Sequence, residues 1–226
     1  MPDRSRSRAE RPAVVLLDAL GTTVELEPPA PLLAAELGMG CDERVRAAVR
    51  AEMNHYRAHA TEARDGAALA ALRERCARIV ATGLGRPVSV EQLMAAISFR
   101  AYADARPAIE RLRASGLRIG CVSNWDCALP EVLGRVGLAD LFDVIVSSAA
   151  AGAAKPAPLP FEIALERLGV SAAEALHVGD TEAEDVAGAR AAGIDALLLD
   201  RGGEGDLADL GELAERLTAP EPELGS

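Results

Sequence analysis

From residue 102 to residue 199 the chain alternates short apolar runs with helix-forming segments, and this alternation narrows the possible folds more than any other feature. Residues 106–115 read as a helix stopped by Gly116, and residues 118–122 as a strand. A helix over 129–136, a strand over 143–146 and a helix over 159–168 follow, the last stopped by Gly169. Residues 175–178 then read as a strand, 185–192 as a helix stopped by Gly193, and 195–199 as a strand. These spacings are those of βαβ units, whose crossovers make neighbouring strands parallel. One more apolar run, Ala13 to Leu17, stands far upstream and reads as a buried strand. The expected fold class is α/β, with a mainly parallel sheet.

The stretch between that first strand and residue 99 is different. Residues 24–31 are a Pro-rich connection, and residues 42–60 and 65–81 contain good helix formers with a break at 61–66. Residues 89–97 suggest a third helix with Ser89 as its N-cap. No convincing strand is visible between Glu25 and Phe99, so this block reads as an all-helical insert. The expected organisation is a disordered Arg/Ser-rich leader over 1–11, a core made of 12–24 and 99–201, a helical insert over 25–98, and a last helical turn with a polar tail over 202–226.

A formal net charge of −11 argues against a broad nucleic-acid or anionic-membrane surface. The apolar run near the N-terminus is too short for a signal core or a membrane span. The four cysteines, Cys41, Cys76, Cys121 and Cys127, include no CxxC pair and read as free thiols in a reducing compartment. A cytoplasmic protein is expected, either a monomer or a homodimer. Almost all basic residues are arginines, and Lys155 is the only lysine. A compact, flexible ammonium at that one position suggests a specific need.

In a parallel sheet all strand C-termini lie on one edge, where open α/β sheets bind ligands. Asp18, Ser123 with Asn124, Lys155, and Asp180 with Asp185 all fall at strand ends or in the loops after them. Together they suit phosphoryl transfer. Asp18 would be a carboxylate nucleophile forming an aspartyl-phosphate. Thr22 and the Gly21 turn would orient it, and Ser123 and Asn124 would bind the phosphoryl group. Lys155 would neutralise charge and keep Asp18 ionised, while Asp180 and Asp185 would bind Mg²⁺ through oxygen. Catalysis of this kind is mostly positioning and charge neutralisation.

These residues carry a resemblance. Asp18-Ala-Leu-Gly-Thr22, Val122-Ser-Asn124, Lys155-Pro156, and Gly179-Asp180-Thr-Glu-Ala-Glu-Asp185 running on to Gly193 follow in the order of the four motifs of the haloacid dehalogenase superfamily. The chain is identified as a member over about residues 13–201, with a helical cap inserted after the first motif. The resemblance implies a Rossmann-like core, hydrolysis through an aspartyl intermediate, Mg²⁺ as cofactor and a small phosphorylated molecule as substrate. It also implies that the metal is held by Asp18, Asp180, Asp185 and the backbone carbonyl of Leu20.

One position departs from the family pattern. Phosphatases of the superfamily usually carry a second Asp two residues after the nucleophile, as acid and then base, and here that place is Leu20. Losing such a group typically costs about 10²–10⁴-fold in rate. The leading reading remains a Mg²⁺-dependent phosphohydrolase. A 2-haloacid dehalogenase, whose family members also lack this Asp, is an alternative, as is a weakly active protein that binds phosphorylated ligands. Gly179-Asp180 and Asp185 favour a metal site and so the first reading.

Several other residues admit two roles. His55 and His59, four apart, suit a solvated helix face better than a Zn²⁺ pair. With Glu52 and Tyr56 they would otherwise line the cap surface over the site, selecting substrate or replacing the missing acid. Asp126 reads as a helix N-cap or a proton-transfer group. His177 reads as a packed strand residue, Trp125 as a platform or plug, and Arg100 and Tyr102 as hinge or binding residues.

Overall fold

The fold is described from a computed structural model covering residues 11–219. In chain order the elements are β1 (Val14–Leu17), β2 (Val24–Leu26), α1 (Pro29–Glu36), α2 (Glu43–His59), α3 (Gly66–Leu84), α4 (Val90–Ala95), β3 (Phe99–Ala101), α5 (Ala105–Ala114) and β4 (Arg118–Ser123). They continue with α6 (Leu129–Arg135), β5 (Val144–Ser147), α7 (Ser148–Ala151), α8 (Leu159–Leu168), β6 (Ala175–Gly179), α9 (Ala187–Ala191), β7 (Asp195–Leu198) and α10 (Leu210–Thr218).

Five strands form one parallel sheet in the order β5-β4-β1-β6-β7. All four residues of β1 are fully buried, as expected for the central strand of a sheet covered on both faces. Its side chains alternate across the sheet. Val15 and Leu17 join a core with Ile119, Cys121, Ile109 and Leu133 on one face, while Val14 and Leu16 pack with Val122, Val146 and Phe161 on the other. Each such side chain contributes about 1.5–3 kcal/mol by leaving water. This central placement fixes Asp18, the next residue, at the sheet edge.

The helical insert has its own core, in which Leu33, Val45, Leu72, Cys76, Val80 and Leu93 pack together. Its helix ends are capped by local chemistry. Asp42 and Asp65 accept backbone N–H bonds from Val45 and Ala68, and Ser89 with Gln92 forms a capping box. Gly85 ends α3 in the left-handed conformation with φ +64°.

The sheet follows the expected pattern, with boundaries differing by a residue or so. Three features depart from it. The Pro-rich connection contains a helix, α1, whose prolines fall in its first turn, where a missing N–H costs nothing. The insert is entered and left through a two-stranded antiparallel stem, β2 with β3, against the expectation of no strand between Glu25 and Phe99. Three-residue strands are too short to show a period. The acidic turn after β6 is a π-helical segment over Glu182–Val186 rather than the start of a regular helix. The leader over 1–10 and the tail over 220–226 lie outside the described residues. Among the described residues no helix is long and apolar enough to cross a membrane.

All four cysteines are free. Cys76 and Cys121 are buried, and burial pushes the Cys76 thiol up to about 12. Under native conditions a chromogenic disulfide reagent should therefore titrate Cys41 and Cys127 promptly, and the other two only after denaturation. Four prompt thiols would contradict this packing.

Candidate active site

The strand register brings the functional loops to one level. Leu17 pairs with Cys121 of β4 and Val178 of β6, so Asp18 lies beside the ends of both neighbours. The Asp18 backbone N–H still donates to Val178 O at 3.0 Å, which holds the residue in line with the sheet. Ser123 ends β4, Asp180 follows β6, and Asp185 sits in the π-helical turn.

Lys155 ties the loops together. Its Nζ donates to Asp18 Oδ1 at 2.6 Å, to Val122 O at 2.9 Å, and to Asp185 Oδ1. An ammonium has three donors, and all three are used. Its side chain is 1% exposed, so these are buried charges in a low-dielectric site. Burial alone would lower the Lys155 pKa, but Asp18 and Asp185 raise it well above the ordinary value, so the side chain stays charged. Asp185 is buried too, yet the His177 hydrogen bond and the Lys155 charge hold it well below the usual carboxylate range. Burial raises Asp18, with Lys155 opposing.

Asn124 positions this lysine. Its Oδ1 accepts from the Lys155 backbone N–H at 2.7 Å, and its Nδ2 donates to Lys155 O at 3.0 Å and Glu184 Oε2 at 2.8 Å. The carboxamide, expected to bind ligand, is thus spent on the loop that carries Lys155. Thr22, expected to orient Asp18 and reach the substrate, is fully buried with its hydroxyl unpaired, and it does not line the cavity.

The carboxylates of Asp18, Asp180 and Asp185 each bring an oxygen within 4.8 Å of the others. Hard oxygen donors at this spacing fit a small dication such as Mg²⁺. Burial together with Asp18 and Asp185 pushes the Asp180 carboxyl up to about 6, a sign of the negative charge left to be balanced there. Two glycines make the cluster possible. A Cβ on Gly21, at φ +86°, would fall 2.0 Å from Asp180 Oδ2, and one on Gly179 would fall 2.1 Å from Asp185 Cγ.

The site opens into a cavity of about 430 Å³ between core and insert. Asp18, Ser123 and Asp180 form its polar floor, and Leu20 lines it on the core side. Glu52 and Tyr56 of α2 reach it from above, whereas His55 and His59 stack on each other with ring centroids 4.1 Å apart and do not line it. Among the described residues neither histidine belongs to a metal-ligating cluster. Trp125 lines the cavity and packs on Phe99 at 5.0 Å between centroids.

Two roles escape sequence reasoning. Asp126 accepts from the Ala128 N–H at 2.7 Å, as a turn residue would, and also from the Tyr56 hydroxyl at 2.8 Å, which joins insert to core. Thr61 Oγ1 to Ser148 Oγ at 3.1 Å and Cys127 N–H to Ala63 O at 3.0 Å are further links. His177 is fully buried against Phe161, and its Nε2 lies 3.0 Å from Asp185 Oδ1. Burial keeps this imidazole neutral, so Nε2–H donates to the carboxylate. At the stem, Arg100 pairs with Glu25 at 2.8 Å, while Tyr102 lies under Arg201 at 3.5 Å.

A buried lysine bound to two members of an acidic triad lies at the edge of a parallel sheet, and the triad lines a cavity under the helical insert. The family description "haloacid dehalogenase-like hydrolase" matches residues 12–193, and the chain belongs to that family. It is 40% identical over 126 residues to a phosphatase of Mycobacterium tuberculosis, covering 54% of this chain and 58% of that protein. It is 35% identical over 112 residues to a ribulose-1,5-bisphosphate 5-phosphatase of Halopiger xanaduensis, covering 49% and 47%. The chain thus spans about half the length of the curated relatives it matches. A solved HAD phosphatase of Thermococcus onnurineus superposes with a TM-score of 0.64 at 26% identity, covering 91% of this chain and 97% of that one. The L-2-haloacid dehalogenase RSc1362 superposes at 0.69 with 19% identity, covering 93% and 100%, and shares the fold.

Removing one partner of a buried ion pair strands the other charge, at a cost of about 3–5 kcal/mol. Lys155→Met should therefore lower unfolding stability by about that much in denaturant titrations, and adding Asp18→Asn should recover part of the loss. A Lys155→Met protein as stable as wild type would contradict the arrangement.

Proposed function

We propose that this chain is a Mg²⁺-dependent phosphohydrolase acting on a small phosphorylated molecule through an aspartyl-phosphate. The observation that carries the reading is the triad of Asp18, Asp180 and Asp185 around one point, with Lys155 bound to two of its members. A carbon–halogen bond attacked by Asp18 would leave Asp180 without a use. A phosphate ester and a dication need it. The phosphatase relatives point the same way.

Asp18 attacks phosphorus as the P–O bond to the leaving group breaks, and its carboxylate becomes an acyl-phosphate. The departing oxyanion takes its proton from water, and a water then cleaves the acyl-phosphate to release phosphate and restore the Asp18 carboxylate. Lys155 opposes the burial that raises Asp18, holds its carboxylate in line, and its charge offsets that of the transferred group. Ser123, 3% exposed at the cavity floor, donates a hydrogen bond to a phosphoryl oxygen. Asp18, Asp180, Asp185 and the Leu20 carbonyl would hold Mg²⁺, which supplies charge neutralisation at the phosphoryl oxygens when bound. Asn124 and His177 act through others, the first by fixing the Lys155 loop and the second by orienting Asp185. The lid excludes bulk water from the acyl-phosphate until the leaving group has gone.

Leu20 offers no proton to the leaving group. Purified protein should therefore hydrolyse aryl phosphates, whose leaving groups need little protonation, faster than alkyl phosphates by about 10²-fold or more. Turnover should stop in EDTA and fall to background in Asp18→Asn. Activity that ignores EDTA, or survives in Asp18→Asn, would refute the reading, and ligand binding without turnover would favour the binding-protein alternative.

The acidic triad also sets a pH dependence. The raised Asp180 carboxyl holds its proton up to about pH 6 in the metal-free fold, so its ionisation costs stability above that pH. A bound dication removes that cost and competes with the proton below it. Mg²⁺ should thus raise the melting temperature at about pH 7.5 and by clearly less at about pH 5.5, with the difference lost in Asp180→Asn. Equal stabilisation at both pH values would contradict it.

A further inference from the structure

One carboxyl in the cavity has no role in this chemistry. Glu52 lies on α2, is 5% exposed, and faces the cavity from the lid. Among the described residues it makes no ion pair, and its polar neighbour is the Cys76 thiol, a weak donor. Buried carboxyl groups are normally paired, because an unpaired one is costly. The other lid-level carboxyl, Asp126, is already engaged by Tyr56 and the Ala128 N–H. Arg57 and Arg73 reach the same cavity, and neither pairs with Glu52. Met53, Leu93 and Met94 give the insert side of the cavity an apolar wall.

We propose that Glu52 is a specificity residue that binds an ammonium group on the non-transferring end of the substrate, so that the preferred ligands are short aminoalkyl phosphates. The inference rests on the phosphohydrolase reading only for the phosphate end of the ligand. The geometry supplies the rest. Phosphate sits at the sheet edge with Asp18 and Ser123, the apolar wall takes a short chain, and the single uncompensated carboxyl of the lid meets the far end. Burial raises the Glu52 pKa, and a ligand cation beside the carboxyl would favour its charged form. Selectivity follows from what a neutral group fails to do there. A hydroxyl in place of the ammonium offers an ordinary hydrogen bond, whereas the ammonium offers a charge-assisted one in a desolvated site.

The test compares length-matched ω-amino and ω-hydroxyalkyl phosphates, which have the same class of leaving group. Trp125, the chain's only tryptophan, lines the cavity and serves as the reporter of binding. Wild type should prefer the amine by about 10- to 100-fold, both in kcat/KM and in the dissociation constant measured with Asp18→Asn. Glu52→Gln, similar in size and neutral, should bring the two ligands level, with its melting temperature recorded to confirm folding. A wild type without the preference, or a Glu52→Gln protein that keeps it, would overturn the inference while leaving the phosphohydrolase reading intact. An alkylammonium ion without phosphate is titrated in parallel. If no phosphate ester binds, the phosphohydrolase reading fails. The amine site is then judged on that titration alone: saturable quenching that Glu52→Gln removes supports it, and no quenching overturns it.

Discussion

The Lys155 ammonium, buried between Asp18 and Asp185, is the contact on which the rest of the structure depends. Three loops from three strand ends carry acidic or polar groups to one point, and without a cation their charges repel. Lys155 is the only protein cation within hydrogen-bonding reach of two of them among the described residues. Its own position is imposed by Asn124, which clasps the Lys155 backbone from both sides, and by the Val122 carbonyl at the end of β4. Central-strand burial, strand register and loop clasp thus converge on one ammonium. A chain with one lysine and many arginines places it where a planar guanidinium with its fixed fork would not fit three acceptors in so small a space.

The insert covers this edge, leaving a cavity between itself and the core. Its own apolar core makes it a separate packing unit, and it joins the sheet through the β2–β3 stem and a few polar links. The Tyr56–Asp126 bond is the clearest of these, since it joins the middle of α2 to the loop after β4. Such links are partly polar, whereas the core of each unit is a cluster of buried apolar side chains. The same cavity wall carries Glu52, so the Tyr56 link to the core and the proposed ammonium site fall on one helix.

Much of the sheet and its edge is legible in the sequence. Apolar runs ending in Asp18, Ser123 and Asp180 mark buried strands whose C-terminal ends share one edge because the sheet is parallel, and the register brings them to one level. Roles that depend on side-chain direction are less legible. Glu52 with Tyr56 and His55 with His59 are both spaced four apart on α2, and the sequence treats the pairs alike. Only the packing of α2 on α3 decides that the first pair faces the cavity. Asn124 and Thr22 fall in the expected motif positions, yet hydrogen bonding spends one on a loop and burial removes the other. His177 holds Asp185 across eight residues and a π-helical turn, a geometry without a sequence period.

The central claim is that Asp18 is the nucleophile, and trapping the intermediate tests it most directly. A reactive aryl phosphate, mixed with protein and Mg²⁺ and quenched in acid within a turnover, should leave the peptide containing Asp18 heavier by one phosphoryl group, as read by mass spectrometry. The adduct should be absent when Mg²⁺ is removed. Steady turnover with no adduct at Asp18 at any quench time, or an adduct on Ser123 instead, would contradict the account.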